Sequence, residues 1–338
     1  MKILFSGYHN PNFITITEYF ENAIKKLGHE LISFDDRNHI LPGRLRYRFP
    51  LLHKIDARHI NHGFIKLARE CNPDIAFISG GHRISKESIC FLKAKGITTV
   101  LYTVDAPHDF QPILNIAMDY DYIFCQGSEA VELLSKAGIK KACWVPVGCD
   151  PDIHRSVEVT GPDRIKYCHD IVFVGSYYPN RWEIFKELAE FDFGIWGPHW
   201  EDVTGPVPKN ISIHSGNFIP DEWLKIFSCA KIVLITHYQD GKVPCYQASP
   251  KVFEALACKK MVVVDRQPDV INLFKDQLHL AGYDTVADLK SKIRYYLNNP
   301  IESDKIALAG YNEVLQNHTY VHRMKVMLAR IGTSGNYE

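Results

Sequence analysis

Short apolar runs alternate with amphipathic stretches along the first half of the chain. Six runs have the length and composition of β-strands: Lys2–Ser6, Glu30–Phe34, Asp74–Ser79, Thr98–Thr103, Tyr122–Cys125 and Ala142–Val145. Three stretches between them have helical periodicity and stop at a glycine: Phe13–Leu27, Ser85–Lys95 and Ser128–Ala137. Ser128 is expected to cap the third of these helices. Strands that alternate with helices predict a mostly parallel sheet covered on both faces.

The second half repeats this alternation and then continues as helices alone. The predicted strands are Asp170–Val174, Phe193–Trp196, Lys231–Thr236 and Met261–Asp265. The predicted helices are Arg181–Glu190, Asp221–Cys229, Pro250–Cys258, Val286–Asn298, Ser303–Asn317 and Tyr320–Ile331. Between the two halves, Pro146–Lys166 is rich in proline and glycine and shows little periodicity, which is typical of a domain boundary.

The chain is therefore expected to be an α/β protein in which two Rossmann-like domains face a cleft. Its 338 residues are enough for two domains. We expect a first domain over residues 1–150, a second over 151–318, and a C-terminal helix over 319–338 that could cross back to the first domain. Ligands of such sheets bind at the carboxyl ends of the strands.

The charges of the chain balance, with 39 lysines and arginines against 39 acidic residues. No overall field favours nucleic acid or an anionic membrane, so such binding would need a local patch. The first apolar run, Ile3–Phe5, is too short for a signal peptide, and no stretch approaches the roughly 18 apolar residues of a membrane span. The nine cysteines form no CxxC pair. We expect a cytoplasmic protein with free thiols.

The segment Ser249–Asp265 is the strongest candidate for a binding site. Ser249 and Pro250 suit the N-cap and first position of a helix, whose free N–H groups favour a phosphate. Lys251 in the first turn opposes the helix dipole, which makes sense beside a bound anion. Glu254 lies on the same face, where its carboxylate could accept hydrogen bonds from a ribose diol. The alternative is that Lys251 and Glu254 form only a surface ion pair.

A second candidate loop follows the strand that ends at Val174. Gly175 and Ser176 form a turn that could approach a phosphate, and Asn180 is expected to cap the next helix. Arg181 at the helix start could contact a diphosphate, or it could simply be exposed. The loop lacks the three spaced glycines of a dinucleotide fingerprint, which argues against a nicotinamide dehydrogenase.

With these loops in place, the second half resembles the C-terminal domain of GT-B glycosyltransferases, and most closely their CgeB-like (spore maturation) branch. The residues that carry the resemblance are SPKVFEALACKKMVVVD (Ser249–Asp265), YDTVADLKSKIRYYLNNP (Tyr283–Pro300) and NHTYVHRM (Asn317–Met324). WVPVGCDPDIH (Trp144–His154) resembles the linker between the two domains, and the first half resembles the family loosely at VLYTVDAPHDF (Val100–Phe110).

The resemblance implies roles for individual residues. Glu254 matches the glutamate that holds the donor ribose, while Lys251 and Arg181 match basic residues beside the diphosphate, and Gly175 matches the loop glycine. The chain departs from the family where Tyr246 replaces the first glutamate of a paired motif and Lys259 replaces a glycine. The implied substrate is a nucleoside-diphosphate sugar, the first domain is the acceptor domain, and no cofactor or metal is needed.

Acceptor-side residues are expected at strand ends of the first domain. Asp105 follows the apolar run Val100–Val104 and could act as general base toward an acceptor hydroxyl, with His108 as a second catalytic candidate. A helix cap and a polar loop are the alternatives for these two residues. The candidate loops are Gly7–Asn12, Gly80–Arg83 and Asp105–Asp109, in which His9, His82 and Asp109 are lesser candidates.

Two other patterns have weaker interpretations. The run GRLRYRF (Gly43–Phe49) could dock an anionic or lipid-linked acceptor at a membrane surface, or could be a solvated loop. His53, His59 and His62 could ligate a metal, but their amphipathic stretch favours a solvated helix surface, and no DxD-type carboxylate pair supports a metal site.

The predicted function is transfer of a hexose-type sugar to an acceptor hydroxyl on a glycan, a protein or a lipid-linked molecule. One alternative is a nucleotide-sugar epimerase of the same fold. Another is a non-catalytic nucleotide-sugar-binding partner protein, which Tyr246 favours. No nucleic-acid partner and no integral membrane segment are expected.

Overall fold

The computed structural model describes residues 1–40, 43–81, 83–104, 110–216, 222–239 and 244–333. The chain divides into two compact units. Unit 1 comprises Met1–Pro146 and the chain from Val321 onward, and unit 2 comprises Val147–Tyr320. Among the described residues, no helix is both long and apolar enough to cross a membrane.

Unit 1 is built on a six-stranded parallel sheet with the strand order β2-β1-β3-β4-β5-β6. Its strands are β1 (Lys2–Gly7), β2 (Glu30–Asp35), β3 (Ile75–Ser79), β4 (Thr98–Thr103), β5 (Tyr122–Cys125) and β6 (Ala142–Trp144). Its helices are α1 (Ile16–Lys26), α2 (Gly43–Arg48), α3 (Pro50–Cys71), α4 (Lys86–Ala94), α5 (Gln111–Ala117) and α6 (Ser128–Lys136). The C-terminal helix α14 (Tyr320–Thr333) also belongs to unit 1, except for its first residue, Tyr320.

Unit 2 is built on a second six-stranded parallel sheet, in the order β12-β11-β10-β7-β8-β9. Its strands are β7 (Ile171–Val174), β8 (Phe193–Gly197), β9 (Ile211–Ser215), β10 (Ile232–Ile235), β11 (Met261–Asp265) and β12 (Ala281–Tyr283). Its helices are α7 (Gly161–Tyr167), α8 (Pro179–Phe185), α9 (Glu222–Cys229), α10 (Pro250–Ala257), α11 (Pro268–Leu273), α12 (Val286–Asn298) and α13 (Pro300–Asn317).

The central strands are almost wholly buried and are mostly apolar. Every residue of β3, β7 and β10 is buried, which is the pattern of a parallel sheet between two helical layers. In unit 2 this core includes Phe173, Phe185 and Trp200. The expected α/β fold is confirmed.

Local signals in the sequence place several helix ends. Thr15 and Glu18 form a capping box at the start of α1, and Gly28 takes a φ of +77° just after its end. Ser249 caps α10, since its side chain accepts a hydrogen bond from the Lys251 N–H. A glycine stop and a serine cap were both predicted at these positions.

The chain order of the strands creates one switch point in each sheet. In unit 2 the chain runs outward from β7 through β8 to β9, and then from β10 through β11 to β12 on the other side. The carboxyl ends of β7 and β10 therefore flank the point where the strand order reverses, which is where open α/β sheets bind ligands. In unit 1 the corresponding strands are β1 and β3.

Some local predictions were wrong. Gly127, not Ser128, occupies the N-cap of α6, and Tyr178, not Asn180, occupies the N-cap of α8. The helix predicted over Arg181–Glu190 breaks after Phe185 into a short 3₁₀ turn. Residues Gly43–Arg48 form a helix rather than a loop.

Candidate functional site

The two loops singled out in the sequence meet at the switch point of unit 2. Both contact the residues that follow β10: the Arg181 Nε donates to the Thr236 carbonyl at 2.9 Å, and the Ser249 N–H donates to the His237 Nε2 at 2.9 Å. The Asn180 Nδ2 also donates to the His237 carbonyl, at 3.3 Å. Thr236 and His237 thus join the start of α8 to the start of α10.

His237 is held in one tautomer by its neighbours. Its Nδ1 lies 2.6 Å from the Asp265 Oδ1, and its Nε2 accepts the Ser249 N–H. A ring nitrogen that accepts carries no proton, so the proton is on Nδ1 and is donated to Asp265. His237 is 4% exposed. The pair of His237 and Asp265 therefore fixes the backbone immediately before α10.

Asp265 is itself enclosed by donors. Its carboxylate accepts from the His237 N–H and from the Gln267 Nε2, the latter at 2.7 Å. Burial alone would raise the pKa of Asp265, but His237 and Gln267 lower it below its ordinary value. The carboxylate stays charged at neutral pH and provides a fixed acceptor for His237.

The N-terminus of α10 supplies the anion-binding features expected of it. Ser249 and Pro250 stand at the cap and the first helical position. Lys251 lies in the first turn with its side chain 36% exposed. Free N–H groups, the positive end of the helix dipole and an ammonium group therefore share one end of the helix.

Glu254 is buried, which rules out the simple surface ion pair. It is 7% exposed, and its Oε2 lies 3.2 Å from the Lys251 Nζ. Burial alone would raise the pKa of Glu254, but Lys251 and then His154 lower it below its ordinary value. A buried carboxylate kept ionised is suited to accept hydrogen bonds from hydroxyl groups.

His154 adds a residue that the sequence patterns did not single out. It is 1% exposed, and its Nδ1 accepts the Asp150 N–H at 2.9 Å. Burial lowers the pKa of His154 below its ordinary value, although the nearby negative charges of Glu254 and Asp150 act to raise it. The segment resembling the family's linker thus places a neutral imidazole close to Glu254.

Arg181 is half-buried rather than exposed, and part of its guanidinium is engaged. The Nε bonds Thr236, and the Nη1 donates to the Ser176 carbonyl at 2.7 Å. The guanidinium also lies 4.8 Å from the centre of the Tyr178 ring. Burial lowers its pKa to about 10, so it remains a cation at neutral pH. Its Nη2 donates to no described residue.

The turn at Gly175 is fixed by close backbone packing. The Gly175 N–H donates to the Trp196 carbonyl at 2.8 Å, and its own carbonyl accepts from the Trp200 indole at 2.8 Å. A Cβ on Gly197 would lie 1.9 Å from that carbonyl. Gly175 and Ser176 therefore hold a defined turn beside Arg181.

One polar atom at this junction is left over. The Oδ1 of Asn180 is buried and accepts no hydrogen bond from any described residue. Tyr178 and Tyr238 form an aromatic pair beside it, with ring centres 4.3 Å apart. These residues extend the candidate site beyond the loops that the sequence singled out.

Tyr246, which stands in place of the family's first glutamate, serves a backbone contact. Its carbonyl accepts the Asp269 N–H at 3.0 Å at the start of α11. Position 246 therefore supplies no carboxylate to the site.

In unit 1, the catalytic candidates Asp105 and His108 lie outside the described residues, as do His82 and Asp109. His9 is described: its Nε2 lies 2.9 Å from the Oε1 of the buried Glu21. His53, His59 and His62 lie on α3. No group of three or more possible metal ligands occurs within the described ranges.

Asp36 is a second residue that the sequence reasoning missed. It follows β2 directly and is 5% exposed, and its Oδ1 has no hydrogen-bond partner among the described residues. Burial raises the pKa of Asp36 to about 6, although the positive charges of Arg37 and Arg83 act to lower it. The signal in the sequence is its position immediately after a strand.

The second half of the chain is similar to known glycosyltransferase-like proteins. A family model described as glycosyl transferase-like matches residues 181–329. The spore protein CgeB of Bacillus subtilis is 23% identical over 262 residues, which cover 73% of this chain and 80% of CgeB.

Solved structures confirm the architecture. A glycosyltransferase from Rickettsia africae aligns with a TM-score of 0.69 at 14% identity, over 100% of this chain and 99% of that one. Anabaena HepE, solved in complex with UDP-glucose, aligns with a TM-score of 0.64 at 13% identity, over 98% of this chain and 100% of HepE. The likeness confirms the expected GT-B fold.

Proposed function

We propose that this chain, which has the GT-B fold, is a glycosyltransferase of the CgeB-like branch and that it transfers a sugar from a nucleoside-diphosphate sugar to an acceptor hydroxyl. The observation that carries the proposal is the junction at Thr236 and His237. It brings a cationic loop and a capped helix N-terminus to the switch point of one sheet, where a diphosphate would be stabilised from both sides.

Each residue then has a distinct task. The N–H groups at the start of α10 and the Lys251 ammonium bind the diphosphate, and Glu254 accepts hydrogen bonds from the ribose hydroxyls. The Arg181 Nη2 binds a phosphate oxygen, while its Nη1 holds the turn at Gly175 and Ser176 and its Nε is bonded to Thr236. His237 positions the start of α10 and does not touch the ligand.

These cations make a metal ion unnecessary in the proposed reaction. Charge develops on the leaving diphosphate as the bond to the sugar breaks, and a helix N-terminus with fixed cations can stabilise it. Donor turnover is therefore expected to persist in excess EDTA. Release of UDP that stops in EDTA and returns with Mg²⁺ would contradict this part of the proposal.

The donor is proposed to be a hexose on a nucleoside diphosphate. HepE was solved with UDP-glucose, so UDP-glucose is the first compound to try. The proposed acceptor is a hydroxyl group of a glycan, a protein or a lipid-linked molecule, and the nine free cysteines suit work in the cytoplasm.

A thermal-shift screen across nucleoside diphosphates and their sugars tests the proposal. A ligand present at a hundred times its dissociation constant stabilises the folded chain by about 2.7 kcal/mol. We expect at least one uridine or other nucleoside diphosphate to raise the melting temperature. A chain that melts at the same temperature with every nucleotide would refute the nucleotide site.

Glu254→Gln is the decisive variant for the ribose assignment. Hydrogen bonds to a charged group are worth about 1.5–3 kcal/mol, so the change should weaken nucleotide binding by roughly tenfold to a hundredfold. Glu302→Gln is the matched control, because Glu302 and Lys305 form an ion pair at the same three-residue spacing on α13. Equal nucleotide affinity in the two variants would remove Glu254 from the site.

Tyr246 supports one second candidate, a nucleotide-sugar-binding protein that does not transfer the sugar. Its position brings no carboxylate to the site, and its backbone is tied to α11. Donor hydrolysis by the purified chain, lost in Glu254→Gln, would exclude this candidate. Nucleotide binding without hydrolysis or transfer would favour it.

A further inference from the structure

One segment of this neutral chain is enriched in basic residues. Residues Arg37–Arg69, here the basic segment, contain eight lysines and arginines and a single acidic residue, Asp56. The segment thus has a formal net charge of +7 in a chain whose total is zero. It includes α2 and most of α3 in unit 1.

Lys66 of the basic segment pairs with Glu70 at 3.9 Å, but most of the charge of the segment faces solvent. Asp56 is buried, with its Oδ2 2.5 Å from the His39 Nδ1, and so offers no charge at the surface. Four cations are exposed and form no ion pair with any described residue: Arg44, Arg48, Lys54 and Arg58. Some exposed lysines elsewhere have acidic partners, such as Lys136 with Glu132 and Lys305 with Glu302.

Large apolar side chains are exposed among these cations. Leu51 is 73% exposed, Phe49 48% and Ile55 45%. On α3 the positions 51, 54, 55, 58 and 62 recur at helical spacing and share one face. That face therefore combines Leu51 and Ile55 with Lys54 and Arg58.

The opposite face of α3 packs against the core of unit 1. Ile60, Phe64 and Ala68 are buried, and Phe64 and Ala68 pack in the core of unit 1. The helix is therefore anchored to the unit by one face, and its outward face cannot be covered by rotation of the helix. An amphipathic helix with cations beside exposed Leu, Ile and Phe is typical of binding at a membrane interface.

We propose that the outward face of α2 and α3 docks on an anionic lipid bilayer, with Phe49, Leu51 and Ile55 entering the headgroup region and the surrounding cations contacting lipid phosphates. Charge complementarity selects an anionic surface, and the exposed apolar side chains favour a bilayer over a nucleic acid. The docking does not depend on the proposed sugar transfer. If both hold, it places the chain where lipid-linked acceptors are found.

Vesicle co-sedimentation of the full chain tests the docking. The chain should sediment with vesicles of equal parts phosphatidylcholine and phosphatidylglycerol, and should not sediment with phosphatidylcholine alone. Added NaCl should release it, because salt screens charges beyond about 10 Å at 0.1 M. Failure to bind the anionic vesicles at low salt would overturn the proposal.

Paired variants separate the two contributions. Lys54→Gln with Arg58→Gln should lower the partition coefficient about tenfold or more, and Leu51→Ser with Ile55→Ser should lower it several-fold. The matched controls are Lys136→Gln with Lys305→Gln, and Ile301→Ser, since Ile301 is 86% exposed on α13. All these sites are exposed, so unchanged melting temperatures should show that each variant folds.

Two results would overturn the assignment. Equal binding by the segment variants and their controls would place the contact elsewhere on the chain. Binding of a mixed-sequence RNA at the same salt, without binding to the anionic vesicles, would make the basic segment a nucleic-acid surface instead. Neither result bears on the nucleotide thermal shift, so this proposal and the proposed function fail separately.

Discussion

Asp36 is a carboxyl group that the fold buries at a cost. Its pKa is raised from 3.8 to about 6 by burial, which Arg37 and Arg83 offset only in part. Because the folded pKa lies above the unfolded value, the unfolded chain binds fewer protons between these values, and stability falls as pH rises from about 4 to 6. We expect Asp36→Asn to raise the free energy of unfolding at neutral pH by about 3 kcal/mol.

The pH dependence of this increase in the free energy of unfolding distinguishes a charge effect from a general packing effect. Denaturant unfolding near pH 4, where the Asp36 carboxyl is protonated, should show little difference between wild type and Asp36→Asn. Asp35→Asn is the control, because the Asp35 Oδ1 accepts the Arg37 N–H and its loss should not stabilise the chain. A less stable Asp36→Asn at neutral pH would mean that the carboxylate has a favourable role in the fold.

Residues with a local pattern could be found in the sequence, and residues without one could not. Ser249, Pro250, Lys251 and Glu254 follow the rules of a helix start, and the structure places them at one. Their proposed ligand contacts stay predictions. His237, Asp265, His154 and Asp36 have no motif, because only the three-dimensional meeting of strand ends makes them neighbours. Three of these four, His237, Asp265 and Asp36, stand at or just after the end of a strand, and that is the usable signal.

At the scale of elements, the turn after β7 depends on a single small residue of β8. Gly197 has a φ of +152°, and a Cβ there would lie 1.9 Å from the Gly175 carbonyl oxygen. Gly197→Ala must therefore push the Gly175 turn away from β8. We expect it to lower the free energy of unfolding by about 3 kcal/mol and to weaken nucleotide binding, because the same turn positions Arg181.

Gly205→Ala is the matched control for this clash. Gly205 also has a positive φ, +89°, but nothing lies within 4 Å of its would-be Cβ. Gly205→Ala should lower the free energy of unfolding by about 1 kcal/mol, through backbone strain alone. It should leave nucleotide affinity unchanged. Thermal melts with and without UDP measure both effects. If Gly197→Ala and Gly205→Ala lower the free energy of unfolding equally, the turn at Gly175 tolerates displacement.

Elements with strong periodicity could be predicted closely, and short elements could not. The predicted bounds of β4, β5, β11 and α12 agree with the structure. The strands β9 and β12 were missed: β9 is partly exposed, and β12 has only three residues. The helix α7 was missed because it lies in a segment rich in proline and glycine, although Thr160 and Asp163 form a capping box. Tertiary pairing, not local composition, determines such elements.

At the scale of the whole molecule, the zero net charge conceals two opposite parts. The basic segment has a charge of +7, so the rest of the chain carries −7. A total of zero argues against long-range attraction and leaves room only for a local patch. Within unit 1, Arg44 and Arg48 of α2 and Lys54 and Arg58 of α3 are the exposed cations that contribute to that patch.

Opposite charges on one neutral molecule should attract neighbouring copies. Near the isoelectric point of about 7.2, no net repulsion opposes contact between the basic segment of one copy and acidic surface of another. We expect light scattering at neutral pH to show weak self-association at low ionic strength, and salt near 0.15 M to abolish it, because the Debye length falls to about 8 Å.

Lys54→Gln with Arg58→Gln should shift the chain below zero net charge and remove the self-association, whereas Ile301→Ser should not. Association that strengthens with salt would instead indicate apolar contact, for which the exposed Leu51 and Ile55 would be the first residues to replace.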